Sequence, residues 1–231
     1  MENKILYRDK LKLSLSAIPK LYPEIEFANA NPNSLDFDIN FDAIVSVDKN
    51  NAIGFKNKLI VNSKADMELF KSFTIGKAII MGRKTFESLH KKPLLYRLNI
   101  VVTSDSNYDA GEFSDYVLVI NSLDKIKTAR EFLDLCKEKF GFYPAIGFGR
   151  NPVIIGGATL YNQAMIDNRI DMFVIDCVDY AAPHADTFFP QNEFDRHKIL
   201  YTDSWDKLAK DTGEDYDLHV TQYTFDKDVK Y

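Results

Sequence analysis

The stretch Ile79-Ile80-Met81-Gly82-Arg83-Lys84-Thr85-Phe86-Glu87-Ser88-Leu89 runs from apolar residues into a glycine, two cations, a hydroxyl and a helical pattern. A strand that ends at a glycine and opens a helix presents backbone N–H groups to an anion. Arg83 and Lys84 add positive charge where a phosphate would sit. A second junction of the same kind follows at Val153-Ile154-Ile155-Gly156-Gly157-Ala158-Thr159-Leu160-Tyr161. Each has a plain structural explanation, glycine for backbone geometry and cations left in water. The two together point to a nucleotide cofactor delivered to a small substrate.

Around these junctions the pattern alternates. Phe41 to Val47 reads as a strand, Asp48 to Asn57 as a polar loop containing Gly54, and Lys64 to Phe73 as a helix. Ser63 is its N-cap candidate, with Asp66 three residues on. Ala78 to Met81, Leu98 to Thr103, Tyr116 to Ile120, Pro152 to Ile155 and Met172 to Val178 read as strands. Helices are expected over Lys84 to Leu89, Leu123 to Phe140 and Thr159 to Ile166, with a loop from Gly141 to Pro152. His197 to Tyr201 and Tyr216 to Phe225 read as closing strands. Strands alternating with helices predict an α/β fold with a mostly parallel sheet, and closing strands without a helix between them predict an antiparallel C-terminal edge.

Residues 1–40 read differently. Leu11, Leu13 and Leu15 alternate with polar residues, which predicts a short half-exposed strand, and Asn29 to Ser34 reads as a turn-rich linker. The division expected is a 1–40 extension and a 41–231 domain. The extension is either an appendage packed on that domain or an arm for a partner or for oligomerisation.

Composition narrows the function classes. The chain has 231 residues and a net charge of −5, without the basic stripe of a nucleic-acid binder. Cys136 and Cys177 are the two cysteines, so no disulfide framework is implied. No apolar run reaches the length of a membrane span, and the N-terminus lacks a signal-peptide core. The expectation is a cytoplasmic protein without membrane or nucleic-acid partners, a monomer being favoured. His90, His184, His197 and His219 are scattered, and no metal site is expected.

Asp66 carries the most chemistry. Met67, Leu69, Phe70 and Phe73 surround it, and Phe70 lies one turn on. An acid on an apolar face is costly unless paired or useful, although an acid in a helix's first turn is also favoured by the dipole alone. Arg97 is either a surface cation or a bidentate clamp for a carboxylate.

In these residues the chain resembles the dihydrofolate reductase family over roughly Phe41 to Phe225. The resemblance rests on Ile44-Val45-Ser46-Val47, Asn50 to Gly54, Ala65-Asp66-Met67 to Phe70-Lys71, Ile80 to Ser88, Arg97-Leu98-Asn99 to Ser104, Ile154 to Gly157 and Asp186-Thr187-Phe188-Phe189-Pro190, in the family's order. It implies reduction of 7,8-dihydrofolate to tetrahydrofolate with NADPH as cofactor. Asp66 would be the catalytic acid, bonded to the pterin 2-amino group and N3 and assisting protonation at N5. Arg97 would hold the α-carboxylate of folate. Ile44, Val45, Leu59, Phe70, Ser88 and Leu89 would line the substrate pocket. Ser46, Ile53 and Gly54 would lie near the nicotinamide. Gly82, Arg83, Lys84, Thr85, Thr103 and Ser104 would hold phosphates, and Ile155, Gly156, Gly157, Ala158, Thr159, Leu160 and Tyr161 would form the second cofactor junction, with a cis bond between the glycines.

Three positions depart from the family pattern. Ile60-Val61 stand where Pro-Trp is usual, and Ser104 replaces a common second arginine. Asp176, or Cys177 with a one-residue gap, stands where a threonine bonded to the acid is usual. Two carboxylates in one apolar pocket would oppose each other's ionisation. Two other readings remain: a riboflavin-pathway pyrimidine reductase of the same fold, and a non-catalytic protein that binds folate or nucleotide.

Overall fold

The structure, a computed structural model, describes residues 2–18, 35–61, 63–144, 150–208, 213 and 217–230. The proposed linker Asn29 to Ser34, and residues 145–149 of the expected loop, lie outside the described residues. In chain order the elements are α1 (Glu2–Ala17), β1 (Phe41–Val47), β2 (Ala52–Phe55), β3 (Lys58–Leu59), α2 (Lys64–Thr74), β4 (Ala78–Gly82), α3 (Arg83–Ser88), β5 (Leu98–Val102), β6 (Val117–Ile120), α4 (Ala129–Phe140), β7 (Val153–Ile154), α5 (Ala158–Ile166), β8 (Ile170–Val178), β9 (Thr187–Phe188), α6 (Gln191–Phe194), β10 (His197–Lys207) and β11 (Leu218–Lys230). They form two compact units, Met1–Asn40 with Thr74–Val153 and Phe41–Phe73 with Ile154–Tyr231.

In the first unit β4, β5 and β6 are parallel neighbours, Ile80 opposite Ile100 and Ile100 opposite Leu118. Such strands are covered on both faces and therefore read as continuous apolar runs. Ile79, Ile80, Met81, Leu98, Ile100 and Phe132 are fully buried there. The helix expected over Leu123 to Phe140 is two pieces: a 3-10 turn at Leu123–Ile126, then α4. Thr128 breaks the run because it caps α4. Its side chain accepts from Glu131 N–H while Glu131 accepts from Thr128 N–H, a reciprocal capping box. Gly141 ends α4 in the left-handed conformation at φ 84°.

Residues 2–17 are helical, which overturns the expected strand. The leucine alternation misleads, since Leu13 is 67% exposed. The buried stripe is Leu11, Ser14 and Ile18, at helical spacing. Ser14 is buried without cost because its hydroxyl donates to Leu11 O at 2.8 Å. The helix packs within the first unit. Tyr7 Oη donates to Pro93 O at 2.6 Å, its ring meets Phe113 edge-on at 5.2 Å, and Arg8 donates to Glu112 O at 2.7 Å.

In the second unit β1 runs parallel to β8, with Ile44 opposite Val174 and Ser46 opposite Asp176. β8 then pairs antiparallel with β11, and β11 with β10. The mostly parallel sheet with an antiparallel C-terminal edge is thus the arrangement observed. β10 extends well past Tyr201, to Lys207; this tail is exposed throughout, so no apolar alternation marks it in the sequence. Phe173, Phe189 and Phe194 pack edge to face, with Tyr161, Tyr223 and Phe225 around them.

The expected loop from Asp48 to Asn57 contains a hairpin instead. β2 and β3 are joined by Lys56 and Asn57, both at positive φ, as a two-residue type I′ turn requires. β2 also pairs with β9. Gly54 permits this close approach: a Cβ there would lie 3.3 Å from Lys58 O and 3.5 Å from Thr187 Cβ.

Candidate active site

Asp66 lies in the first turn of α2, where its N–H donates to the Ser63 hydroxyl at 3.1 Å. The N-cap is the one expected. The residue is 7% exposed, so it is not a solvated surface acid. Met67 is not part of its apolar surroundings, being 52% exposed; Ala65 is buried and Phe70 half-buried. Tyr161, from α5, is buried and its phenol is pushed upward by burial first and by the charge of Asp66 second. Its hydroxyl donates to Ile44 O in β1 at 2.6 Å. The charge of Asp66 thus acts on the phenol that ties α5 to β1 in the second unit.

The strand register puts Asp176 and Cys177 on opposite faces of β8. Ser46 opposes Asp176, and side chains alternate between faces. Asp176 thus shares a face with Ile44 and Ser46, while Cys177 points the other way. Ser46 Oγ donates to Asp176 Oδ2 at 3.4 Å, and Asp176 is 1% exposed. Burial first, then the charge of Asp176, raises the Cys177 thiol pKa.

Gly156 and Gly157 are joined by a cis peptide, and Gly156 stands at φ 121°, a conformation open to glycine alone at little cost. Gly157 is the N-cap of α5 without a side-chain cap. An uncapped helix start after adjacent glycines is a fitting cradle for a phosphate. Ala158 and Thr159 begin the helix, Leu160 is buried beneath it, and Ile155 is half-buried before it.

The other predicted residues stand in the first unit. Gly82 caps α3, again without a side-chain cap. Arg83 is half-exposed and donates to Glu87 at 3.1 Å, one turn on; Lys84 is exposed and Thr85 half-buried. Thr103 is 8% exposed, and its hydroxyl accepts from Asp105 N–H at 3.2 Å; Ser104 beside it is exposed. These hydroxyls and cations are a donor set suited to phosphate. Ser88 is exposed, its hydroxyl donating to Thr85 O at 2.6 Å, and Leu89 is half-buried. Arg97 is only 8% exposed, which excludes a simple surface cation. Nε donates to Thr74 Oγ1 at 2.8 Å and Nη1 to Leu95 O at 2.7 Å, fixing the plane of the guanidinium. Burial lowers its pKa, but an arginine stays charged at neutral pH.

In the second unit Ile53 and Val45 are buried, whereas Leu59 is 69% exposed on the β2–β3 hairpin. Val61, where the resemblance leads one to expect tryptophan, is 4% exposed. A smaller side chain thus occupies a buried position.

Three polar residues that hold this machinery were not singled out from the sequence. Asp48 is 1% exposed; Oδ1 accepts from Asn50 and Ala52 N–H and Oδ2 from Ala182 N–H, each at 2.8 Å. Asp186 accepts from Lys56 N–H at 2.8 Å and pins the hairpin turn. Asn99 bonds Leu94 on both sides and Arg97 O at 3.0 Å, shaping the loop that presents Arg97. The Asp48-x-Asn50 spacing is a signal for the first, since aspartate bonds the N–H two residues on.

Comparison with known proteins gives the family and the fold. A family model described as dihydrofolate reductase matches residues 40–225. A dihydrofolate reductase of Buchnera aphidicola subsp. Baizongia pistaciae is 34% identical over 164 residues, 71% of this chain and 85% of that protein. One from Staphylococcus aureus is 32% identical over 156 residues, 68% of this chain and 81% of that protein. The solved structure of dihydrofolate reductase from Enterococcus faecalis, complexed with NADP(H) and RAB-propyl, shares the fold with a TM-score of 0.62 at 24% identity, covering 83% of this chain and 99% of that one. With a family match that spans most of the sequence and two relatives above 30% identity, the chain belongs to the dihydrofolate reductase family.

Proposed function

We propose that the protein reduces 7,8-dihydrofolate to 5,6,7,8-tetrahydrofolate with NADPH, and that Asp66 is the residue on which the pterin chemistry depends. The observation that carries this reading is a carboxylate buried to 7% exposure in the first turn of α2, a helix capped by Ser63. A buried acid of this kind suits a ligand that offers paired N–H donors, as the pterin 2-amino group and N3 do. The same carboxyl group assists protonation at N5. Ile44, Val45, Leu59 and Phe70 of the second unit are read as substrate contacts, as are Ser88 and Leu89 of the first, and Arg97 as the group for the α-carboxylate, with a guanidinium already fixed in plane.

The donor sets described above fit NADPH. Arg83, Lys84, Thr85, Thr103 and Ser104 would hold phosphate, as would the glycine-opened start of α5. Ser46, Ile53 and Gly54 would border the nicotinamide. When bound, the cofactor supplies the hydride that adds to pterin C6. The protein's own part is to orient the pterin, exclude water and hold the proton. Residues 1–40 are read as an extension to the 41–231 domain, and the protein as a cytoplasmic monomer whose partner is the small-molecule substrate. The test is the loss of NADPH absorbance on adding dihydrofolate, with methotrexate as competitor. Binding of ligand without turnover would favour a non-catalytic member of the family.

A further inference from the structure

The inward stripe of α1 begins one turn before Leu11, at the half-buried Tyr7. This places Tyr7 against the loop from Pro93 to Arg97 in the first unit, where its hydroxyl donates to Pro93 O at 2.6 Å. Its ring meets Phe113 at 5.2 Å, and Lys92 Nζ stands 5.9 Å from the ring centroid. Pro93 has no N–H, so its carbonyl is the one backbone group it can bond through. The loop needs outside ties. Tyr96 stands at φ 59°, a left-handed conformation that a residue with a Cβ rarely adopts. Gly76 N–H donates to Tyr96 O at 2.7 Å, and the Asn99 carboxamide accepts from Leu94 N–H at 2.8 Å and donates to Leu94 O at 3.0 Å. Leu95 O then accepts from Arg97 Nη1 at 2.7 Å. A continuous run of bonded residues thus leads from the Tyr7 hydroxyl to the guanidinium.

We propose that Tyr7 is a positioning residue for Arg97: by holding Pro93 O, α1 fixes the loop whose Leu95 carbonyl orients the guanidinium toward the substrate α-carboxylate. The proposal rests on the reading of Arg97 as the group that receives that carboxylate. It gives the N-terminal helix a part in substrate binding, although α1 lies ahead of residues 40–225, the stretch that the family model matches. The second anchor of α1, Arg8 to Glu112 O at 2.7 Å, bonds a different segment and does not touch the loop. The two anchors can therefore be separated by substitution.

The test compares wild type with Tyr7→Phe, which keeps the ring and removes the hydroxyl, and with Arg8→Ala, which releases Glu112 and leaves the Pro93 bond. Two substrates are used: dihydrofolate, and a dihydropterin bearing a methyl group in place of the aminobenzoylglutamate tail. Loss of one hydrogen bond corresponds to roughly 3- to 10-fold in an equilibrium. Tyr7→Phe is expected to raise the KM for dihydrofolate by that factor. The kcat, the KM for NADPH and the KM for the tail-less pterin should stay near wild type, as should all four values in Arg8→Ala. An unchanged KM for dihydrofolate, an equal rise for the tail-less pterin, or an equal effect of Arg8→Ala would overturn the proposal. The second readout is hydrogen exchange at Leu94 N–H and Arg97 Nε–H in the protein without ligand, followed by NMR. Exchange is expected to quicken several-fold in Tyr7→Phe, and unchanged exchange at both groups would also overturn the proposal. Should Tyr7→Phe fail to fold by circular dichroism, Tyr7→Met carries the same comparison. A wild type without dihydrofolate-dependent turnover would defeat the functional reading, while exchange would still decide whether Tyr7 holds Arg97.

Discussion

The hydroxyl of Tyr161 donates to the carbonyl oxygen of Ile44 at 2.6 Å, tying the start of α5 to the middle of β1 inside the second unit. This bond connects the glycine junction at Gly156-Gly157 with the strand that carries Ser46. Tyr161 is 2% exposed, so the bond is made away from water. Removing a buried donor leaves its partner's desolvation uncompensated, at about 1–3 kcal/mol. Tyr161→Phe is expected to lose stability in that range in urea unfolding, with turnover reduced as well.

Asp48 has no counterpart in a purely apolar account of the fold. Its carboxylate gathers the N–H groups of Asn50, Ala52 and Ala182, and so joins the start of β2 to the segment after β8. Asp48→Asn keeps the shape but loses the charge and places a donor against an N–H. Hydrogen bonds to charged groups are worth roughly 1.5–3 kcal/mol each in net terms, and Asn retains part of that. Amide exchange at Ala52 and Ala182 is expected to quicken at least tenfold, more than in the first unit. Equal exchange in variant and wild type would contradict this role.

Arg97 should resist conservative exchange. Its fork bonds Thr74 Oγ1 and Leu95 O, a geometry that a lysine ammonium cannot reproduce. Arg97→Lys is expected to raise the KM for dihydrofolate by about 10- to 100-fold, the worth of one charge-assisted hydrogen-bond pair. The KM for NADPH should stay close to its wild-type value. An equal rise in both would point to general damage instead.

Glu131 gives the chain a defined acid sensitivity. Its carboxylate accepts from Thr128 N–H at 2.9 Å and Lys127 N–H at 3.0 Å, and its pKa is lowered chiefly by the Thr128 backbone bond. A group whose folded pKa lies below its unfolded one adds stability above the unfolded value. That stability is lost as pH falls through the folded value. Glu131→Gln is therefore expected to melt below wild type at pH 7, with the gap closing towards pH 3. A gap that widens in acid would mean the sign is wrong.

The parts of the fold that the sequence made legible share one property: their residues face a single environment. Ile79 to Met81 is buried on both faces and reads as strand, and Gly82 reads as the turn into α3. Ser63 and Asp66 were legible because a cap lies at fixed spacing from its partner. Elements whose signals conflict were misread. In α1 the buried position 14 is a serine and position 13 is an exposed leucine, so the apolar period pointed to the wrong structure. The β2–β3 turn uses Lys56 and Asn57 with no glycine, and β10 continues through an exposed polar run. Of the site, the glycine junctions and Asp66 could be picked out by residue type. Asp186 could not, because it accepts from a backbone group distant in sequence, and Asp48 only through its local bonds to Asn50 and Ala52, its bond to Ala182 being distant. Asn99 bonds Leu94 and Arg97 nearby, but an asparagine's loop bonds leave no pattern of their own.

The account stands most directly on Asp66. The decisive measurement is the dihydrofolate-dependent rate of NADPH oxidation at neutral pH, in wild type and in Asp66→Asn, with folding of both checked by circular dichroism. Asparagine keeps the volume of the buried position but can neither hold the proton nor accept from two pterin N–H groups as a carboxylate does. Wild type is expected to turn over and Asp66→Asn to fall by about 100-fold or more, the usual scale for a general acid. A folded Asp66→Asn protein that reduces dihydrofolate at the wild-type rate would contradict the account.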